Sequence, residues 1–593
     1  MKSTTKLCTA AGLWIGALVV CLWATTALAQ PAFVDVAPEL GLNQTGSCGG
    51  VFWYDYDGDG DLDLLRTHRF FEPSMLFRND GDHFTGLTDI GLPSDADAGT
   101  CVPMDFDHDG DYDVYIDCYS SHIRLLVNEN GTYVNRTEEL GITPRYGGTR
   151  PTWLDINHDG WMDLMLEFSD SWALYLNNGN NHFTDVTARS QLPNLDWGAF
   201  FIESDINLDH NIDLYTTTIG GANHLYINVG DGVFRDSTAA AGLAGIPSDF
   251  GCAWVDFDDD KYPDLLTPGT NYHSIWHNNH DGTFTEMTVH GTTTGSWGGF
   301  PYGARYAVAD YDMDGDMDFY AARPGGCGDG QAANQFFRMD SLNGMDIYFT
   351  DIAPELGMDF AADGFPLWAD YDRDGDLDLY LAQQDLPDRL FRNDLIHHSN
   401  RLEVNVLGPN GEKDRWHTRV EVYPHSGSTL LKVSELNYSN VARDGFNNYF
   451  VLNEDGHYDL RIYFASGAVM TPEEYPQLSD VVPSQINHLL TVYQGQLSAE
   501  PAAKPAQNFM LDAAYPNPFN ASTNIRYSLP AAGYVRLAVY DVLGRHIADL
   551  VNSSVSAGEH RAMWNPVNVA SGVYVVRLQA ADQIAQQKVL LLK

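Results

Sequence analysis

From Phe33 to Asn393 short apolar stretches are each broken by a cluster of Asp, Gly and Asn, and the unit of stretch, cluster and stretch recurs along the chain. Apolar runs of this length, bounded by turn residues, predict β-strands rather than helices. The clusters begin at Asp55, Asp105, Asp155, Asp205, Asp256, Asp310 and Asp370, at intervals of 50, 50, 50, 51, 54 and 60 residues. Two further patterns keep step with them. An L/I/F-x-x-N segment runs from Leu76 to Asn79, Leu125 to Asn128, Leu174 to Asn177, Leu225 to Asn228, Ile275 to Asn278 and Leu390 to Asn393, with Phe336 to Met339 lacking its Asn; an aromatic-led segment starts at Phe84, Tyr133, Phe183, Phe234, Phe284 and Phe349. The seventh aromatic copy stands out of order at Phe33, in FVDVAPELGL, which echoes FTDIAPELGM at Phe349.

About 50 residues per unit suits four short antiparallel strands, and seven such units predict a seven-bladed β-propeller over residues 30–394. The displaced N-terminal segment has a physical reason. An open ring of small sheets leaves exposed edges, and a strand from the start of the chain that completes the last blade closes the ring. An open solenoid would not need that strand. Trp53, Trp153, Trp254 and Trp368, each two residues ahead of a cluster, are expected to pack between blades.

Composition narrows the function. The 593 residues carry 33 Lys plus Arg against 81 Asp plus Glu, a formal charge of −48, which excludes a phosphate backbone as a natural partner. The 44% hydrophobic content excludes an acidic disordered polymer. At the N-terminus Lys2 and Lys6 precede an apolar run from Ala10 to Trp23 and then Ala27-Leu28-Ala29, the layout of a signal peptide over residues 1–29, so no membrane span is expected after cleavage. Of the cysteines beyond it, Cys101 and Cys118 flank one predicted hairpin, from which a bridge could form.

The clusters read DYDGDGDLD, DFDHDGDYD, DINHDGWMD, DINLDHNID, DFDDDKYPD, DYDMDGDMD and DYDRDGDLD in chain order. Positions 1, 3, 5 and 9 are always Asp or Asn: Asp55, Asp57, Asp59 and Asp63; Asp105, Asp107, Asp109 and Asp113; Asp155, Asn157, Asp159 and Asp163; Asp205, Asn207, Asp209 and Asp213; Asp256, Asp258, Asp260 and Asp264; Asp310, Asp312, Asp314 and Asp318; Asp370, Asp372, Asp374 and Asp378. Oxygen donors at this spacing, a carbonyl from position 7, and a Gly at position 6 that turns the loop are what Ca²⁺ takes. The alternative is a solvated acidic turn. Four carboxylates about 5 Å apart would repel by up to roughly 20 kcal/mol per loop at an effective dielectric near 20, comparable with the ~5–15 kcal/mol stability of a domain, so a cation is expected. Up to seven Ca²⁺ ions follow, with the loops at Asp205 and Asp256 the weakest, since His210 and Lys261 replace Gly at position 6.

These repeats resemble the FG-GAP or VCBS repeats of integrin α-chain propellers and of secreted bacterial proteins. The resemblance implies that the metal loops face away from the ligand surface. Partners would then meet the opposite rim, at His68, Arg69, Phe70, Phe71, Tyr119, His122, Arg145, Tyr146, Trp172, Tyr272, His273 and the insertion from Pro324 to Gln335.

Beyond Asn393 the period ends. RLEVNVLG, TRVEVYP, TLLKVSEL, NYFVLN and YDLRIYFASG alternate as strands of a separate β module over 395–495, which resembles the ASPIC/UnbV module through Arg401-Leu402-Glu403-Val404 and Arg419-Val420-Glu421-Val422. SAEPAAKPAQN makes 496–508 a linker. Residues 509–593 predict an Ig-like sandwich of seven strands. Tyr515-Pro516-Asn517-Pro518-Phe519, Tyr540-Asp541-Val542-Leu543-Gly544-Arg545 and Ser571-Gly572-Val573-Tyr574 resemble the C-terminal sorting domain of the type IX secretion pathway, which implies passage through outer-membrane secretion machinery to the outside or the cell surface.

No HExxH, GxSxG or phosphate-cradling loop is present. The expected function is therefore non-enzymatic: a secreted or surface calcium-binding propeller for adhesion to, or recognition of, an extracellular protein or glycan. The rival is an extracellular glycosidase or lyase on the same scaffold.

Overall fold

The computed structural model describes residues 33–394 apart from 96, 119, 147–150, 169–170, 194–199, 219–220, 247–250, 269–272, 292–303, 323–332 and 361–363. Beyond these it describes 401–407, 417–435, 447–453, 455–464, 477–486, 489–493, 510–511, 523–529, 533–541, 545–555, 558–564, 569–570, 572–580 and 583–591. The expected signal peptide and the expected linker at 496–508 lie outside the described residues, as do Tyr119, Tyr272 and residues 324–332 of the insertion.

The strands Cys48–Tyr54, Asp63–His68, Met75–Asn79 and Phe84–Leu87 form one antiparallel sheet in chain order. The same meander recurs in five further sheets up to Asp351, the last of which adds Thr288–Gly291 as a parallel edge strand on Asp346–Asp351. The seventh sheet takes Gly364–Ala369, Asp378–Gln383 and Arg389–Asn393 from one end of the chain and Phe33–Asp35 from the other, with Phe33 opposite Asn393. Within each of the two echoing segments the chain makes the same short turn of helix, Ala37–Leu40 and Ala353–Leu356, ended by Gly41 and Gly357 with φ of 82° and 69°. The result is an all-β, propeller-like fold.

Apolar clusters lie between neighbouring sheets rather than inside one, and one of them joins Trp53 and Phe77 of the first sheet to Tyr320 of the sixth and Trp368 and Tyr380 of the seventh. The tryptophans sit in these seams. Trp53 is fully buried, with Tyr380 edge-on at 5.8 Å, and Trp153 stacks on Phe106 of the preceding sheet at 6.2 Å. The seam that closes the ring also holds a buried ion pair. Arg66 Nε donates to Asp388 Oδ2 at 2.7 Å, both side chains are without solvent exposure, and Tyr380 Oη and the Gln383 amide donate to the same carboxylate. Such a pair adds little net stability over an apolar one, but losing one partner strands the other.

Cys101 and Cys118 are both free thiols, against the bridge that their places in the sequence suggested. They lie on paired strands but out of register: Cys101 is opposite Ile116 and Cys118 opposite Ala98, with a bulge between, so their side chains do not meet.

After residue 400, Arg401–Leu407 pairs with Asn447–Val451 and, in parallel, with Leu489–Tyr493. A second sheet orders Lys432–Glu435, Arg419–Pro424, Tyr458–Tyr463 and Gln477–Val481, and the two enclose a core that includes Leu402, Val404, Val420, Val422, Leu460 and Ile462. The last unit stacks a three-stranded sheet on a four-stranded one around Ile525, Leu537, Val539, Trp564, Val576 and Leu578.

Candidate metal centres and the rim opposite

Each acidic cluster joins the first strand of its sheet to the second, so all of them emerge at one end of the sheets. The residue at position 9 opens the second strand every time, opposite Tyr54, Met104, Leu154, Ser204, Val255, Ala309 or Ala369. Its side chain is clamped by the backbone. The amide of the last residue of the L/I/F-x-x-N segment, which ends the third strand in every sheet but the sixth, donates to position-9 Oδ1 in all seven, at 2.7–2.8 Å: Asn79 to Asp63, Asn128 to Asp113, Asn177 to Asp163, Asn228 to Asp213, Asn278 to Asp264, Met339 to Asp318 and Asn393 to Asp378. Position 1 is held from within the loop: the amides of Asp159 and Gly160 donate to Asp155, and those of Asp209 and His210 to Asp205.

Carboxylate oxygens therefore converge. Donor atoms of Asp55, Asp57 and Asp63, of Asp105, Asp107 and Asp109, and of Asp256, Asp258 and Asp260 lie within 4.8 Å of one another. In the other loops the same crowding is electrostatic: Asp155 and Asp159 act on Asp163, Asp205 and Asp209 on Asp213, Asp310 and Asp312 on Asp318, and Asp370, Asp372 and Asp374 on Asp378. Burial, before like charge, pushes Asp63, Asp163 and Asp310 up to about 8, Asp370 to about 7 and Asp264 to about 6, and raises Asp113, Asp213, Asp256, Asp318 and Asp378 well above the usual carboxylate range. Asp113 Oδ2, Asp213 Oδ2 and Asp378 Oδ2 are buried without any hydrogen-bond partner. Buried carboxylate oxygens facing other carboxylates, with no donor, fit a hard cation.

Two features of the loops were not legible in the pattern. Position 4 is left-handed in all seven loops although only the first has Gly there: φ is 73° at Gly58, 60° at His108, 59° at His158, 59° at Leu208, 56° at Asp259, 56° at Met313 and 59° at Arg373. The Asn that ends the third strand also reaches across the seam. Its Nδ2 donates to the carbonyl of position 2 in the preceding sheet, from Asn79 to Tyr371, Asn177 to Phe106, Asn278 to Ile206 and Asn393 to Tyr311, at 2.9–3.1 Å. Its recurrence beside the Asp clusters was the available signal.

The module that follows lies against this end of the sheets. Arg401 donates to Asp370 Oδ2 at 2.9 Å, Arg419 stands 3.8 Å from Asp205, and Lys432 contacts both Asp259 and the Gly315 carbonyl. His417 Nε2 lies 3.3 Å from the Trp153 carbonyl, and Lys261 reaches Glu421 at 3.9 Å.

At the opposite end the residues anticipated as a rim divide. His68, Trp172 and His273 are buried, not presented: His68 packs on Arg66, Trp172 Nε1 donates to the Pro193 carbonyl, and His273 meets Tyr306 Oη at 2.7 Å. His68 is the last residue of its strand and Trp172 and His273 the first of theirs, so strand packing holds all three. Phe70, Phe71 and Tyr146 are instead 60%, 56% and 62% exposed. Phe70 and Phe71 are both left-handed, with φ of 57° and 63°. Asp97 ties their loop to the next sheet, accepting from the Phe70 amide and from Ser120 Oγ at 2.9 Å each. Tyr146 lies against His122 with ring centroids 4.0 Å apart, beside an open groove of about 380 Å³ lined by His122, Arg124, Arg136 and Glu139.

The family model for an FG-GAP-like repeat matches residues 55–116, 205–267 and 256–321, and that for a secretion system C-terminal sorting domain matches 513–592. No curated protein matches the chain. Among solved structures it is similar to an Agrocybe aegerita lectin described as recognising non-reducing terminal N-acetylglucosamine, at 13% identity and a TM-score of 0.35, over 69% of this chain and 96% of the lectin. It is also similar to PorZ, a surface component of the type IX secretion system of Porphyromonas gingivalis, at 13% identity and a TM-score of 0.21, over 92% of this chain and 81% of PorZ. A Parabacteroides merdae β-glucuronidase is matched at 12% identity and a TM-score of 0.14, over 33% of this chain and 25% of the enzyme. The chain thus carries FG-GAP-like repeats and a type IX sorting domain, and the latter directs it through secretion to the cell surface.

Proposed function

We propose that this surface-directed, propeller-like protein is a calcium-dependent recognition protein that binds an extracellular protein or glycan through the rim remote from its acidic loops. The observation that carries the reading is the pair of phenylalanines at 70 and 71, held in solvent by left-handed backbone that costs on the order of 1–2 kcal/mol per residue. Strained, exposed aromatic side chains fixed by a buried carboxylate, Asp97, are what a contact surface needs, and a free molecule gains nothing from them. With Tyr146 and Arg69, whose guanidinium lies 5.1 Å from the Phe70 ring centre, they offer flat apolar faces with polar edges, suited to stacking on a sugar ring or a partner's apolar side chain.

Calcium in this reading is structural. The position 1, 3, 5 and 9 side chains of the loops that offer oxygen donors alone would hold it, and its charge would let buried carboxylates stay ionised. The acidic end is the poorer ligand surface, because the module after residue 400 lies against it.

The test is a glycan and protein array probed with calcium-loaded protein and with the Phe70→Ser/Phe71→Ser variant. Binding should be retained by the first and lost by the second at unchanged thermal stability, and incubation with bound polysaccharides should release no new reducing or unsaturated ends. Turnover that survives the rim substitutions would overturn the reading in favour of a glycosidase or lyase.

A further inference from the structure

The fifth acidic loop differs from the others in what surrounds it. Two imidazoles join its carboxylates: His277, from the strand His273–Asn278, and His280, from the turn that follows. The position of His277 is Arg78, Val127, Leu176, Ile227, Arg338 and Arg392 in the other sheets, and that of His280 is Gly81, Asn130, Gly179 and Gly230 in the first four. His277 Nδ1 lies 3.2 Å from Asp264 Oδ1 and 3.5 Å from Asp258 Oδ2. His280 Nε2 contacts Asp260 Oδ2. Donor atoms of Asp260, His277 and His280 are mutually within 4.8 Å, and so are those of Asp258, Asp264 and His277, so that His277 belongs to both groups.

The set is built rather than incidental. Asp264 is without solvent exposure, and its Oδ1 is fixed by the Asn278 amide at 2.8 Å. The turn that carries His280 is fixed by the same residue, whose Oδ1 accepts the His280 amide at 3.1 Å, while Tyr262 stacks on the imidazole with centroids 4.1 Å apart. Within the set, Asp258 Oδ1 and His277 Nδ1 are buried atoms, and Nδ1 faces the two carboxylates of Asp264 and Asp258 at the distances given above. Position 6 carries Lys261 rather than Gly, and position 4 carries Asp259, which is drawn away to Lys432 of the following module.

We propose that this loop is a transition-metal site of the zinc class, held by His277, His280 and Asp260 with Asp258 or Asp264 completing the set. Hard Ca²⁺ takes oxygen donors, whereas imidazole with carboxylate suits Zn²⁺ and its neighbours in the first row. The inference rests on the calcium reading only in assigning the other six loops to a different ion.

The experiment strips the mature protein with a chelator, returns it to millimolar Ca²⁺, and titrates Co²⁺ while following visible absorption. Zinc and calcium are counted in parallel by elemental analysis. The expected result is a single equivalent of Co²⁺ with ligand-field bands, displaced by Zn²⁺ and not by Ca²⁺. His277→Arg and His280→Gly place in the fifth sheet what sister sheets already carry, so both should fold; each should weaken Co²⁺ by at least about tenfold, the lower end of what even an outer-shell loss costs, with calcium content unchanged. Cobalt binding that is insensitive to both substitutions, or that Ca²⁺ displaces, would overturn the proposal. A protein that holds cobalt in this loop but takes up no calcium elsewhere would sink the calcium reading and leave this one standing.

Discussion

At the scale of single residues the acidic loops are defined by backbone as much as by carboxylates. Positions 4 and 6 are both left-handed, and the chain meets this demand with Gly at position 6 in five loops but at position 4 only at Gly58. The fourth loop is left-handed at both without any Gly, with φ of 59° at Leu208 and 71° at His210. Leu208→Gly removes a side chain from an unfavourable region at the cost of a more flexible unfolded chain. It should stabilise the calcium-loaded protein by about 0.5–1 kcal/mol, whereas β-branched Leu208→Val should destabilise it by about 1–2 kcal/mol, both read from urea denaturation midpoints. The reverse order would mean that Leu208 is held by packing and not by strain. Position 9 tells a similar story: its Asp was legible as a ligand, but that its Oδ1 is fixed by the amide ending the third strand depends on a strand pairing that no local pattern displays.

At the scale of elements, the unit of stability is the seam between sheets. Asn177 is buried, and its Nδ2 bridges to the Phe106 carbonyl of the preceding sheet. Asn177→Ala leaves that carbonyl unpaired and should cost about 1–3 kcal/mol, while the exposed neighbour Asn178→Ala should stay within about 0.5 kcal/mol, in the same calcium-saturated denaturation experiment. Met339 occupies the corresponding place in the sixth sheet, so the seam to the fifth is without this clamp. The loops set the pH response. Asp63, Asp163 and Asp310 are pushed to about 8 by burial, above their unfolded value near 4, so the metal-free folded protein binds protons that the unfolded chain does not. That contribution is complete below the unfolded value and is lost as pH rises through about 8. Metal-free protein should therefore be more stable at about pH 5.5 than at about pH 8.5, and saturating calcium should abolish or reverse the order because it binds the ionised carboxylates. Equal stability of the metal-free protein at both pH values would show that the loops are solvated and unstrained.

At the scale of the whole molecule, two contacts join distant parts of the chain. Arg66 and Asp388 close the ring from opposite ends of the repeat region, and Arg401 of the following module neutralises Asp370 at the mouth of the last loop, with side chains 15% and 5% exposed. Arg401 and a bound cation both offset the charge on Asp370, and each can stand in for the other. Arg401→Met should destabilise chelator-treated protein by up to about 3–5 kcal/mol, the cost of stranding one partner of a buried pair, and calcium should recover most of that loss. An equal loss with and without calcium would show that Arg401 acts only by packing.

The sequence by itself determined the periodic all-β architecture, the strand that returns from the N-terminus to the last sheet, and the convergence of seven sets of carboxylates on seven turns. Each of these follows from residue spacing along one strand–turn–strand unit, where neighbours in sequence are neighbours in space. It also marked the sorting domain, through local motifs. Only the tertiary structure decided that Cys101 and Cys118 stay apart, that His68, Trp172 and His273 turn inward while Phe70 and Phe71 turn out, and that His277 and His280 gather at the fifth loop. It alone laid Arg401 and Lys432 on the acidic end. Those outcomes depend on bulges, register and the meeting of surfaces far apart in the chain, and the free energy of such contacts belongs to pairs of residues whose proximity no local pattern encodes.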